Sequence, residues 1–330
     1  MAATPMSWVT DSGSNGYRTT VAVSKKVVQP AQPMMKIRQF VSVDPAFGKN
    51  KGESVQIYRA GNSDVEYDTA SINELDTVPV TRTTVTPKLI TVNEYARAWN
   101  YTQKLDMLSE VDIKNDVTLK SLRNHMAKTI EYHIGQAFRT SDVCYIPTSA
   151  TAGTWDVDGT PSTTATANIS VFHIKEIVDG MKMGLFGSGN TARPVPYYAD
   201  NYYMCVASTK FLRGLHDDPD FESISDYANA EGFYRGEIGR MPFYNIRFVE
   251  SNFSGLLSNS KGSSGVLGEA FIFGEDPVRE IVALPEEIRE KVATDFGRDQ
   301  AIAWYALLGW GRVWDYSTDG EEHIVRVTSA

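Results

Sequence analysis

The hydrophobic and polar positions of this chain fall into segments of different period. Ser54-Val55-Gln56-Ile57-Tyr58-Arg59 alternates polar and apolar, as a half-buried strand does. Val78-Pro79-Val80-Thr81-Arg82-Thr83 alternates less cleanly, and Gly61-Asn62-Ser63-Asp64 between the two runs is turn chemistry. A third run, Leu89 to Trp99, also alternates. These strands are rich in Thr and poor in large aliphatics, so they predict an extended hairpin with a thin core of its own. Between 109 and 140 the period changes. Ile113, Val117, Leu122, Met126, Ile130, Ile134 and Ala137 recur three to five apart and predict one long helix with a single apolar stripe. Ser109 or Asp112 can cap its start. Lys114, Asn115, Lys120, Arg123, Lys128 and Glu131 are assigned to its other face.

Beyond the helix, residues 147–169 are small, polar and turn-rich, and predict a surface loop. Val171 to Met183 predicts a second helix closed by the glycines of Gly184-Leu185-Phe186-Gly187. Tyr202 to Ala207 predicts a buried strand, and Thr209 to His216 a short helix stopped before Pro219. Tyr244 to Glu250, Ala270 to Gly274 and Pro277 to Leu284 predict strands, and the tail returns to β character. Ile324-Val325-Arg326-Val327-Thr328 alternates, as an edge strand of a sheet would. Helices and strands mix irregularly, so the fold class is α+β rather than a regular parallel α/β sheet.

Composition bounds the rest. With 330 residues the chain is long enough to bury a sizeable core without a metal or disulfide staple. Ala301 to Trp310 is the longest strongly apolar run and too short to cross a bilayer as a helix, and no secretory signal pattern is read at the N-terminus. The expectation is a soluble protein made in a cytoplasm. The net charge of −9 argues against a protein built mainly to grip nucleic acid. That charge is unevenly spread: residues 1–60 carry +5 and the remainder −14, a basic arm on an acidic body. The arm is either a solvated segment or one that lies across an acidic neighbour or polyanion.

Motifs for chemistry are weak. Gly48-Lys49-Asn50-Lys51-Gly52-Glu53-Ser54 lacks the Lys placement of a phosphate loop and reads as a turn. Asp295-Phe296-Gly297 has no kinase catalytic loop before it. His125 and His133 lie eight apart on the long helix, out of register for joint metal chelation, and read as polar-face or boundary residues; His173, His216 and His323 belong to no HExxH pattern. Asp156-Val157-Asp158-Gly159 is a fragment of a calcium loop and reads as a turn, and Asp217-Asp218-Pro219-Asp220 reads as an acidic helix stop. Cys144 and Cys205 have no CxxC spacing or readable His partner and read as buried small residues. Trp304, Trp310 and Trp314 sit in an apolar segment and read as core or interface. The chain therefore offers no catalytic, cofactor-binding or metal-binding residue, and the expectation is a non-enzyme without cofactor.

Three stretches carry a family resemblance. The first is VTPKLITVNEYARAWNYTQKLDMLSEVD, ahead of the long helix. The second is YYMCVASTKFLRGLHDDPDF followed by GEIGRMPFYNIRFVES, a strand, a helix start, an acidic stop and a further strand. The third is the glycine-containing tail DFGRDQAIAWYALLGWGRVWD. With the order of parts, these resemble the Hong Kong 97-type major capsid proteins of tailed phages, and more closely the N-four-like podophage capsid family. The departures are Ser208-Thr209, where the family often has a His-Pro-like pair, and the Thr-rich 147–169 segment.

The resemblance implies an N-terminal arm at 1–40 and an E-loop hairpin at 41–104. It implies a spine helix and peripheral domain at 105–170, an axial domain at 171–285, and a C-terminal return to the peripheral domain at 286–330. It further implies a shell protein that assembles with itself through hexamers and pentamers. A separate scaffolding protein, a portal, a decoration protein and non-specific contact with packaged double-stranded DNA would be its partners, with no membrane. Its place would be the virion, assembled in the host cytoplasm. Two alternatives stand beside it: an encapsulin-like nanocompartment shell, and a soluble hydrolase or carbohydrate-binding module.

Overall fold

The computed structural model describes residues 36–45, 52–60, 71–75, 77–78, 80, 85–109, 112–161, 164–187, 189, 192–221, 237–241, 244–257, 268–292 and 295–330. The basic arm before residue 36, the Gly61–Asp64 turn and most of the Gly48–Ser54 motif lie outside the described residues.

Among the described residues, three sheets carry the fold. Strands β1 (Ser42–Asp44), β2 (Ser54–Ala60), β3 (Val85–Thr91) and β4 (Asn93–Thr102) come first. Helix α1 (Gln103–Leu108) and the long helix α2 (Leu119–Arg139) follow, then β5 (Val143–Ser149), β6 (Ala152–Asp156) and α3 (Val171–Met183). Next are β7 (Tyr203–Ser208), α4 (Thr209–His216), β8 (Glu237–Met241), β9 (Ile246–Ser251) and β10 (Gly268–Phe273). The chain closes with β11 (Val278–Glu290), β12 (Asp299–Arg312), the single turn α5 (Tyr316–Asp319) and β13 (Ile324–Ser329). The seven-stranded sheet has the order β6-β5-β13-β10-β7-β9-β8, the four-stranded sheet the order β1-β11-β12-β4, and β2 pairs with β3 alone.

The seven-stranded sheet is apolar on both faces. Tyr203, Cys205, Ala207, Ala270, Ile272, Val325 and Val327 point to one side, where Ile174, Ile177, Val178 and Met181 of α3 and Phe211 and Leu215 of α4 cover them. Met204, Val206, Phe271, Phe273 and Ile324 point to the other side. There they meet Leu122, Ile130, Ile134 and Phe138 of α2, whose opposite flank rests on Ile302, Trp304, Ala306 and Leu308 of β12. Helix α2 is thus wedged between the two larger sheets, and its apolar side chains serve both.

Local chemistry explains the element ends. The Asp112 carboxylate accepts the Asn115 amide at 2.9 Å and opens a widened π-type turn, Ile113–Thr118, before α2 proper. The single helix expected from 109 therefore begins irregularly. Ser170 and His173 cap α3 reciprocally, and Gly184 ends it in the left-handed conformation. Ser208 accepts the Phe211 amide to start α4, the role of the residue pair at which the sequence departs from its resemblance. The Asp218 carboxylate accepts the Val171 amide at 2.7 Å, so the acidic stop after α4 also caps α3.

Several expectations are corrected. The partner of β2 is Val85–Thr91, paired from Ser54↔Thr91 to Ala60↔Val85, and not Val78–Thr83; Val78 and Val80 carry no regular structure. The segment 147–169 contains strand β6, because Trp155 has Tyr145 and Phe186 to pack on. Ile324–Thr328 is no edge strand: β13 lies between β5 and β10 with every residue buried. Its alternation is misleading because Arg326 is buried too, donating to Glu269 at 2.9 Å, while Arg139 reaches the same carboxylate at 3.2 Å. Glu131 does not join the polar face of α2 but is buried.

Candidate assembly surfaces

The β2–β3 hairpin has two unlike faces, because side chains alternate along a strand. Val55, Ile57 and Ile90 turn inward and close on Ile281 of β11 and on Val92. The seat is made by two glycines of β12. A Cβ on Gly309 would lie 2.6 Å from the Thr91 carbonyl oxygen, and one on Gly311 would lie 2.9 Å from the Ile90 side chain. Two cations also point inward: Arg59 donates to the Val313 carbonyl at 2.7 Å, and Lys88 pairs with Asp315 at 2.9 Å. The root of the hairpin is therefore seated on its own subunit, more firmly than a hairpin lacking any intramolecular support.

The outward face is left bare. Tyr58 is 69% exposed and Leu89 62%, and Val85 beside them is also exposed. Toward the tip, Leu75, Val78 and Val80 are exposed as well. Isolated exposed apolar side chains are ordinary, but a run of them along one thin element marks a contact surface.

A second bare apolar patch lies at the other end of the four-stranded sheet. Helix α1 exposes Leu105, Met107 and Leu108, and the segment between β11 and β12 exposes Val292 and Phe296. The two pieces are tied together where the Gln103 amide donates to the Arg298 carbonyl at 3.0 Å. Asp295, Phe296 and Gly297 all hold positive φ, so the Asp-Phe-Gly tripeptide is a tight left-handed turn that presents its ring to solvent.

Between these surfaces runs a short strap, 36–44. Glu131 of α2 accepts the amides of Lys36 at 3.0 Å and Ile37 at 3.1 Å, which is why this acid is buried. Burial holds its pKa above the ordinary carboxylate value. Arg38 bonds Glu280 at 2.8 Å and Glu286 at 2.5 Å, and Phe40 packs against Tyr198 and Phe273. The strap then pairs through β1, parallel to β11. No single-sequence signal tied Glu131 to residues nearly a hundred positions earlier.

The residues singled out for chemistry are scattered and occupied. His125 accepts from the Trp304 indole at 3.2 Å, and His133 stacks on Trp310; both lie at the boundary between α2 and the four-stranded sheet. His173 is buried in the α3 cap, and His323 stacks on Trp314. Burial lowers the pKa of His125, His133 and His323. Cys144 on β5 and Cys205 on β7 are buried and held apart by β13 and β10, and burial pushes the Cys205 thiol up. Trp304 is core; Asp156 ends strand β6, and of the four residues of the expected turn the chain bends only at Asp158 and Gly159. Among the described residues no three His, Cys, Asp or Glu side chains gather as metal ligands, and no helix is long and apolar enough to cross a membrane.

Comparison with known proteins gives the architecture its class. No family model and no curated protein matches the sequence. Solved structures do. The acid-stable capsid structure of Helicobacter pylori bacteriophage KHP30 superposes with a TM-score of 0.71 at 11% identity, over 94% of this chain and 95% of that one. The capsid of Ralstonia phage GP4 gives 0.71 at 10% identity over 98% of each chain. The capsid asymmetric unit of Cyanophage Pam1 gives 0.68 at 11% identity, over 94% and 96%. The chain has the α+β fold of Hong Kong 97-type phage capsid proteins along nearly its whole described length.

Proposed function

We propose that this chain is a major capsid protein: a structural, non-catalytic subunit that assembles with copies of itself into the closed shell of a tailed phage. The observation that carries the reading is the outward hairpin face with Tyr58, Val85 and Leu89 bare, projecting from a body whose fold is that of phage capsid subunits. A monomer gains nothing from such a face. A second copy lying under it would bury it, and a head-to-tail contact of this kind closes into rings. The exposed tip built from Leu105, Met107, Leu108 and Phe296 supplies a second contact at the opposite end of the same sheet.

Finer statements belong to the same proposal. The stretches Val85–Asp112, Tyr202–Phe221 with Gly236–Ser251, and Asp295–Asp315 support membership of the N-four-like podophage group. The division into arm 1–40, E-loop 41–104, spine and peripheral part 105–170, axial part 171–285 and return 286–330 is retained. In it the seven-stranded sheet draws β5, β6 and β13 from the segments on either side of the axial part. Hexamers and pentamers, a separate scaffolding protein, a portal, a decoration protein and loose contact with packaged double-stranded DNA are its partners. The virion is its location, after assembly in the host cytoplasm. The net charge of −9 suits a shell that encloses DNA without gripping it.

Electron microscopy of the protein expressed with its scaffolding partner tests this directly. Shells or ring-shaped capsomers are expected. A monodisperse monomer that binds a small ligand and never assembles would overturn the reading.

A further inference from the structure

The inner face of the hairpin changes character halfway along. In register, Val55 stands opposite Ile90, Ile57 opposite Lys88, and Arg59 opposite Thr86. The apolar half, Val55, Ile57 and Ile90, sits over Ile281 and the two glycines of β12. Beyond Ile57 and Ile90 two inward polar contacts fall on one short segment of the body, 313–315. Lys88 meets the Asp315 carboxylate at 2.9 Å, and Arg59 meets the Val313 carbonyl at 2.7 Å.

That segment is itself anchored by a post. Arg312 bonds Glu322 at 2.7 Å, Asp142 at 2.9 Å and Asp315 at 3.3 Å, so one guanidinium ties the start of β5, the approach to β13 and the landing site of Lys88 together. Asp315 is further fixed by Ser317, which donates at 2.7 Å. Although burial opposes it, the hydrogen bonds from Ser317 and Lys88 and the charge of Arg312 hold the Asp315 carboxyl well below the usual carboxylate range. At its other end the hairpin joins the body through Gly52, with positive φ, and through Val92, whose amide donates to the Glu53 carbonyl at 2.9 Å.

These two kinds of contact do different work. An apolar patch over glycines is non-directional and leaves the ribbon free to tilt. An ion pair and a charged hydrogen bond are directional. The Lys88–Asp315 pair is also releasable, because both side chains lie close enough to solvent for water to take over their partners. We propose that Lys88 and Arg59 are a polar latch that sets the angle of the hairpin on its own subunit, with Asp315 and the Val313 carbonyl as the catch and Arg312 as the post. The latch deepens the capsid reading by naming what aims the hairpin at a neighbour. It rests on that reading for its purpose and not for its existence.

The test uses the full-length subunit before assembly. Spin labels at Gln56→Cys on the hairpin and Met183→Cys on the end of α3 occupy exposed sites, and the two native cysteines are buried. Pulsed electron resonance then reads the distance distribution between them. With the latch intact, one narrow distance is expected. Lys88→Met should broaden or displace it, Lys88→Arg should restore it, and the thermal midpoint of the body should stay unchanged throughout. Arg59→Met should act in the same direction; since Arg59 is buried, Lys88→Met decides the matter if that variant does not fold. A distribution as narrow and unshifted in Lys88→Met as in the parent overturns the latch, as does a broad distribution in the parent itself. Failure of the capsid reading looks different: the parent protein would form no shells by electron microscopy, whatever the spin labels report.

Discussion

The seven-stranded sheet and the β2–β3 hairpin are built from similar strand lengths but on opposite terms. The first is buried on both faces, between α3 and α4 on one side and α2 on the other. The second closes a cluster of three buried residues, Ile57, Ile90 and Ile281, and leaves its outer face bare. A sheet sandwiched by helices is complete within one chain. A two-stranded ribbon is not, since an isolated hairpin is marginal in water. The difference teaches where each region finds its stability: the sheet within its own subunit, the hairpin partly at its root and, on the proposed function, mostly in a second copy.

Mutations can break that contrast. The largest effect belongs to the sheet. Phe271 is fully buried beside Phe138, and Phe271→Ala should lower the unfolding free energy by about 3–5 kcal/mol, read by chemical denaturation. A small loss there would mean the sheet is not the stability reservoir it is taken to be.

Next comes the buried acid behind the latch. Glu322 is almost completely buried, and burial pushes its pKa up to about 8, against the pull of Arg312. An unfolded Glu titrates near 4.3, so between roughly pH 4.5 and 8 the folded state holds a proton that the unfolded state has lost. Stability should therefore fall as pH rises through that window. Glu322→Gln should flatten the slope, as seen in denaturation curves at the two ends of the window. A parent protein whose stability rises there would contradict the assignment.

The seat of the hairpin gives a smaller effect on stability. Gly309→Val would force a side chain against the Thr91 carbonyl and should lift the hairpin, with faster proteolysis near residues 85–91 and little change in the sheet. The smallest expected effect on the subunit is on the outer face. Leu89→Asp should shift subunit stability by less than about 0.5 kcal/mol, because the residue is exposed. It should nonetheless abolish shell formation in an assembly assay. If Leu89→Asp assembles normally, the outer face is not a contact.

Much of this contrast is legible in the sequence, and its failures are instructive. The stripe Leu122, Ile130, Ile134 and Ala137 on α2, the strand at Tyr203, the helix Thr209–His216 and the first strand of the hairpin are local patterns with one physical reading each. The glycines of the tail were part of the family resemblance, and the structure gives them a reason: the hairpin crosses β12 at Gly309 and Gly311. What is lost depends on distant partners. Arg326 alternates like a solvent-facing residue because nothing nearby in sequence announces Glu269, and Glu131 reads as surface because its partners are the amides of Lys36 and Ile37. The second hairpin strand is misplaced because Val78–Thr83 and Val85–Thr91 both begin with Val, carry two Thr and one Pro, and look alike locally, whereas the packing of Ile90 on Ile281 favours the latter.

The most direct measurement of the central claim is a cryo-electron microscopy reconstruction of particles assembled from this protein. It should show Tyr58, Val85 and Leu89 buried against a neighbouring subunit, with the hairpin root still seated on Gly309 and Gly311 of its own chain. Particles in which that face stays open to solvent, or a protein that remains monomeric under every assembly condition, would contradict it.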